Sequence, residues 1–127
     1  MIRVILYNYY LPFRNMFKTD KTIEKYSTFK EFRKEWDKDE ECIIILPVNV
    51  FDLIGLDIRM VLREYGRNDK KKFLLIGDKN QIEFSLSQND KFLQNTIQEI
   101  ILPMYVNSIE DVVYDKIDIL KKYKKRK

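Results

Sequence analysis

The sequence predicts an α/β fold: one doubly wound domain on a mostly parallel, five-stranded sheet, with helices on both faces. Four apolar runs have the composition of buried strands, and the run that starts at Cys42 is also rich in β-branched residues, which indicates burial on both sides. Between them, apolar residues recur at helical spacing, an alternation that indicates βαβ units and hence a parallel sheet. At 127 residues, the chain is long enough for one such domain and its core.

The clearest unit starts with the apolar run Cys42–Leu46, which predicts a central strand flanked by strands at Arg3–Tyr7 and Phe73–Gly77. Pro47 is predicted to end this strand, because proline cannot donate a hydrogen bond to a sheet. The amphipathic run Val50–Tyr65 predicts the helix that follows. A buried strand leading into a helix is half of a βαβ unit, so this segment defines the architecture.

Shorter elements are predicted between the first strand and the central one. A short helix is expected after Pro12 from three residues at helical spacing: Phe13, Met16 and Phe17. Thr22–Tyr26 alternates weakly and suits an edge strand, where its charged side chains would discourage further pairing. Thr28 and Glu31 have the spacing of a capping box, which predicts a helix beginning after Thr28. The apolar side of that helix is aromatic: Phe29, Phe32 and Trp36.

The later part of the chain predicts a further strand and a final helix. Ile82–Leu86 alternates, so it is predicted either to pair back on the preceding strand or to lie extended over the sheet. A short helix is expected from three apolar residues: Phe92, Leu93 and Ile97. The run Glu99–Leu102 predicts the fourth buried strand. Ser108 and Asp111 have capping-box spacing and predict the start of the last helix. Its apolar stripe is Ile109, Val112, Val113, Ile117 and Leu120.

The charge and the cysteine content of the sequence limit which partners and which cellular compartment are expected. Charged residues make up 35% of the chain, and much of the net charge of +4 lies in a basic tail at residues 121–127. Residues 1–120 therefore form a roughly neutral α/β domain, and the simplest interpretation of the tail is a solvated helix end. The single Cys42 cannot form an internal disulfide, and a buried free thiol suggests a reducing compartment. No apolar run is long enough to span a membrane, so we expect a cytoplasmic protein without membrane contact.

The chain lacks the residues on which most enzyme and cofactor chemistry depends. It has no histidine, and its one cysteine excludes both a CxxC motif and a cysteine–histidine pair. Its three glycines are far apart, which excludes glycine-rich phosphate-binding loops. Asp78 is the one acidic residue at a predicted carboxyl strand end, too little for Mg²⁺ and more typical of a turn. We therefore expect no catalytic, cofactor-binding or metal-binding residues, and no enzyme.

The order of elements resembles a response-regulator receiver, the CheY-like and flavodoxin-like domain with sheet order 2-1-3-4-5. The most specific part is Ile100–Met104 followed by the helix from Ser108, which is similar to the fifth strand, the lysine–proline step and the last helix of a receiver. Receivers carry an acidic pair, a phospho-accepting aspartate, a hydroxyl and a lysine at their strand ends, and a switch aromatic in the fifth strand. The corresponding positions here hold, in that order, Tyr7 and Asn8, Pro47, Gly77, Leu102 and Glu99. The resemblance therefore implies a pseudo-receiver without phosphotransfer or Mg²⁺ chemistry.

A pseudo-receiver is expected to be a signalling or adaptor module that acts by contact with a protein partner. The resemblance implies association through the fourth helix, fifth strand and fifth helix. The candidate interface residues are Phe92, Glu99, Met104, Tyr105 and Tyr114. We expect Tyr114 on the outer side of the last helix, and a homodimer that weakens when Tyr105 and Tyr114 become charged.

Two other functions are compatible with the sequence. A nucleic-acid-associated protein would use the basic tail with Tyr123, and Lys70–Lys72, to bind phosphates, and its binding would weaken steeply with salt. The cationic tail residues are Lys121, Lys122, Lys124, Lys125, Arg126 and Lys127. A small enzyme or nucleotide sensor would use a site formed by Tyr7, Asn8, Tyr9 and Asn49, among which the sequence indicates no nucleophile or base.

Overall fold

The computed structural model describes residues 2–8, 14, 16–47, 70–78, 97–102 and 106–122. Five strands and two helices lie in these ranges, and we number them in chain order. They are β1 Arg3–Tyr7, β2 Ile23–Tyr26, α1 Phe29–Trp36, β3 Cys42–Pro47, β4 Lys71–Asp78, β5 Ile97–Leu102 and α2 Val106–Lys122. The predicted helix Val50–Tyr65 and the predicted strand Ile82–Leu86 lie outside the described residues.

The strands form a parallel sheet in which β3 is central. Val4 of β1 aligns with Ile43 of β3, and Ile45 of β3 aligns with Leu74 of β4, all in parallel register. The predicted α/β class, the parallel sheet and the strand order 2-1-3-4 are confirmed. Beyond β4, β5 pairs in parallel with β4, so the order of the described strands is β2-β1-β3-β4-β5.

Alternation along the strands divides the core between two faces of the sheet. α2 covers one face with its apolar stripe. The buried cluster there contains Val4, Leu6, Met16, Phe17, Ile23, Ile43, Ile45, Leu74, Ile76, Ile109, Val113, Ile117 and Leu120. The aromatic side of α1 covers the other face, where Trp36 meets Phe73 with ring centroids 5.5 Å apart. The two helices therefore lie on opposite faces.

The two predicted helix caps have different outcomes. Thr28 has an extended backbone (φ −113°, ψ 141°), and its hydroxyl accepts a hydrogen bond from the N–H of Glu31 at 3.3 Å, so the N-cap of α1 is confirmed. α2 begins at Val106, so Ser108 lies inside its first turn and the predicted cap there is wrong. The helical spacing of the apolar residues from Ile109 onward is the same whether or not another turn precedes them. The sequence pattern therefore predicted the first residue of the helix only to within one turn.

Several predicted boundaries also differ from those observed. β4 begins at Lys71 and ends at Asp78, so it is longer at both ends than the predicted strand Phe73–Gly77. Ile97 belongs to β5 and pairs with Phe73, so its predicted place in a short helix is wrong. Pro47 is the last residue of β3 and aligns with Ile76 of β4. The pairing of β3 with β1 ends at Ile45, so the N–H that Pro47 lacks is not needed for hydrogen bonds between these two strands.

In the segment where a short helix was predicted after Pro12, Arg14 is helical and residues 16–19 form a turn. Phe17 has a φ of 60°, in the left-handed region that is unfavourable for a side chain with a Cβ. Its ring is nevertheless buried in the cluster beneath α2, alongside Met16. The strained backbone is retained because the turn directs a large apolar side chain into the core. Phe13 lies outside the described residues.

Candidate functional site

The carboxyl ends of the parallel strands are the first place to look for a site, because ligands of open α/β sheets bind there. Tyr7, at the end of β1, is 5% exposed. Its ring stacks on Phe32 at 5.5 Å and meets the edge of Phe29 at 5.9 Å. Aromatic packing by α1 therefore occupies the position where the receiver resemblance places an acidic side chain.

The neighbouring positions are also unlike a receiver site. The backbone N–H of Asn8 donates to the carbonyl of Tyr26 at 3.0 Å, which holds the end of β1 against the edge strand. Pro47 and Gly77 are buried and offer no side-chain acid, base or hydroxyl. Within the described ranges, no group of three or more histidine, cysteine, aspartate or glutamate residues is arranged to hold a metal ion. These described positions therefore contribute packing, and their side chains include no histidine, cysteine or carboxylate.

The side-chain amide of Asn8 has one unsatisfied acceptor. Its Oδ1 is buried and has no hydrogen-bond partner among the described residues. A buried unpaired amide oxygen is unfavourable. Tyr9 and Asn49, which the sequence suggested as further members of a site here, lie outside the described residues.

Cys42 is not available for nucleophilic chemistry. Its side chain is 1% exposed in the centre of the sheet. Burial raises the pKa of the thiol to about 11, so the thiolate is scarce at neutral pH. The free, buried thiol expected from the sequence is confirmed, and its role is packing.

Only part of the predicted interface falls in the described structure. Phe92, Met104, Tyr105, Lys124, Lys125 and Arg126 lie outside it. Glu99 is in the middle of β5, aligned with Leu75 of β4. Tyr114, Lys121 and Lys122 are exposed on α2, whose last two residues are the first two of the predicted tail.

Tyr114 makes a specific contact with the turn before β2. Its hydroxyl donates to Oδ2 of Asp20 at 2.6 Å, and its ring meets Phe17 edge-on at 5.3 Å. Burial, together with Asp20, raises the pKa of Tyr114 to about 12. Asp20 also accepts hydrogen bonds from Thr22, and these contacts, with that from Tyr114, lower its pKa. The outward position of Tyr114 is as expected, and the residue holds α2 against this turn.

The opposite flank of α2 carries an exposed apolar residue that the sequence analysis missed. Ile119 is 48% exposed, more than any other large hydrophobic residue among those described. Five residues at ~100° each separate it from Tyr114 by ~140° around the helix. Because Tyr114 faces the turn before β2, Ile119 lies toward the β5 side. The signal in the sequence was an isoleucine on the otherwise polar side of the predicted helix.

At the amino ends of the strands, Arg3 is the centre of an ion-pair network. Its guanidinium contacts carboxylates from three elements: Glu24 at 2.7 Å, Glu35 at 2.9 Å and Glu40 at 3.1 Å. The hydrogen bond with Glu24 is the largest effect that raises the pKa of Arg3, and Arg3 in turn lowers the pKa of Glu24. Arg3 joins the edge strand β2, the end of α1 and the loop before β3. The network is structural.

Two lysines of β4 stabilise backbone carbonyls near the same end. Lys71 is 1% exposed, and its Nζ donates to the carbonyls of Lys38 at 2.6 Å and Glu40 at 3.0 Å. Burial lowers the pKa of Lys71. Lys72 donates to the carbonyl of Leu120 at 2.6 Å, in the last turn of α2, where carbonyls lack a partner within the helix. Both are therefore part of the fold, and with Lys70 paired to Asp39 they do not form a free basic patch.

Comparisons with known proteins identify no relative: no family model, curated protein or solved structure matches this chain. None of the described helices combines the length and the apolar character needed to cross a lipid bilayer. The function must therefore be inferred from the chain's own residues.

Proposed function

We propose that this chain is a non-catalytic, receiver-like signalling or adaptor module that acts through protein–protein interaction. The observation that carries the proposal is the packing of Tyr7 against Phe29 and Phe32 at the carboxyl end of β1. In a flavodoxin-like, five-stranded domain this is where phosphotransfer chemistry would lie. An aromatic cluster at this position supports a domain that does not carry out phosphotransfer.

Surface composition supports a protein partner over a nucleic acid. The exposed side of α2 carries Lys121 and Lys122, but also Asp111, Asp115 and Asp118. Acidic side chains beside the lysines would repel phosphates, so this surface lacks the single-sign charge of a nucleic-acid site. The exposed Ile119 on the same helix instead offers apolar surface that a protein partner would bury.

The buried Cys42 supports the proposed location in the cytoplasm. A free thiol at the centre of a sheet is compatible with a compartment that keeps cysteines reduced.

The experiment that tests the absence of phosphotransfer is incubation with a small phosphodonor and Mg²⁺, followed by intact-mass measurement. We expect the mass to stay unchanged, because Pro47 and its neighbours offer no acceptor. A functional receiver domain treated in parallel is the positive control. A stoichiometric phosphate adduct on Asp52 or Asp78 would show that the strand-end alignment is wrong and would overturn the proposal.

A further inference from the structure

We propose that the β5-side flank of α2 binds a second copy of this chain, with the two α2 helices antiparallel across a two-fold axis beside Ile119. The inference rests on the proposed function and names the partner of that module. It is carried by the exposure of Ile119 and by the order of charges on either side of it.

Four exposed residues lie on this flank: Ser108, Asp115, Ile119 and Lys122. At ~100° per residue, they fall within a sector of about 60° on the helix. Half-buried Val112 lies at the margin of the same sector and packs against the core cluster, so it extends the apolar strip toward the start of α2. Tyr114 is on the other flank, where Asp20 and Phe17 engage it.

The flank is complementary to itself when reversed. Ile119 lies between an acid and a base that are seven residues apart, about 10.5 Å along the helix axis. A two-fold axis perpendicular to the helix near Ile119 therefore brings Asp115 of one copy opposite Lys122 of the other. The same rotation brings Lys122 opposite Asp115, so one contact geometry forms two opposite-charge pairs around two isoleucines. A two-fold interface uses the same patch on both copies and requires this kind of self-complementarity.

Charge complementarity selects a second copy, because a partner with a uniformly charged surface would be repelled by one end of the flank. The association is expected to be weak. Exposed ion pairs contribute little, and one exposed isoleucine per copy indicates an interface at the small end of the range for specific complexes. Such a dimer suits a module whose assembly depends on its local concentration.

The test is sedimentation of the full chain between about 1 µM and about 1 mM. We expect the wild-type protein to pass from monomer to dimer in this range. Asp115→Lys and Lys122→Asp should each weaken association by about tenfold or more, because two attractive pairs become repulsive. An equimolar mixture of the two variants should restore association, because each copy then presents charges opposite to those of its partner.

The mixture distinguishes a contact between two copies from an effect within one helix. Mixing the two variants restores contacts between chains but cannot restore an interaction within a single chain. Both substitutions are at exposed positions, so the fold is expected to remain intact. Ile119→Asp should remove the dimer, and Tyr114→Phe, on the opposite flank, should leave it unchanged. A wild-type chain that is monomeric at about 1 mM, or a mixture no better than its separate components, would overturn the inference. Either result leaves the proposed function standing with a different protein as partner, whereas a phosphate adduct would overturn that function and leave the dimer intact.

Discussion

Replacing Ile44 with alanine tests the central position of β3 directly. Ile44 is 0% exposed and lies between Ile5 of β1 and Phe73 of β4. The substitution deletes three carbons from a site enclosed on both sides by strands, with Trp36 of α1 packed on the neighbouring Phe73. At about 0.8 kcal/mol per buried carbon, the lost transfer free energy is roughly 2.4 kcal/mol. A residual cavity adds to this, so we expect the free energy of unfolding to fall by about 3 kcal/mol or more.

The measurement is urea unfolding of the wild-type and variant proteins, monitored by circular dichroism. The slope of free energy against urea should be the same for both, because the surface exposed on unfolding changes little. Ile119→Ala is the matched control, because it makes the same chemical change at a position 48% exposed, and its cost should stay below about 0.5 kcal/mol. A loss below about 1 kcal/mol at Ile44 would mean that β3 is not enclosed as described.

Two further predictions concern the ends of elements. Arg3→Met should lower the free energy of unfolding at pH 7 by about 1–2 kcal/mol, whereas breaking the surface ion pair of Arg33 by the same substitution should cost about 0.5 kcal/mol or less. The pKa of Glu24 is lowered from 4.5 by Arg3, so this stabilisation is present above pH 4.5 and is lost as the pH falls through the folded-state value. Wild-type and Arg3→Met proteins should therefore converge in stability at acid pH, and a difference that persists there would contradict the electrostatic explanation. Thr28→Ala should cost about 1 kcal/mol through loss of the N-cap hydrogen bond, and Ser27→Ala, one residue earlier, should cost much less; equal effects in urea unfolding would show that the cap does not stabilise α1.

How far the sequence predicts this fold depends on how local each signal is. The run Cys42–Leu46 could be recognised because a doubly buried strand has to be apolar at every position. Thr28 was recognised because its cap depends only on residues within one turn. Lys71 could not be recognised as a strand residue, because its burial depends on the carbonyls of Lys38 and Glu40, more than thirty residues away in the chain. A buried lysine therefore occurs in a strand without a local sequence signal when carbonyl groups of distant residues accept its hydrogen bonds.

The candidate site shows the same division. The absence of histidine and the identities of Tyr7 and Pro47 predict an unreactive strand end, because chemistry depends on residue type, and this stays a prediction. The partners of Tyr114 were not predictable, since Asp20 lies 94 positions away and only the packed structure brings the two together. The exposure of Ile119 was equally hidden, because an isoleucine in an amphipathic helix is usually assigned to the buried stripe.

The helix that covers one face of the sheet has a consequence for how the protein is made. Val4 and Leu6 of β1 are buried in the same cluster as Ile109 and Val113 of α2, which a ribosome synthesises long after β1. Until that helix has emerged, the nascent strands lack the apolar cover that α2 provides, and exposed surfaces of this kind promote aggregation. Biosynthesis of this chain therefore includes an interval in which a chaperone, or a pause that keeps the growing strands apart, would protect it most.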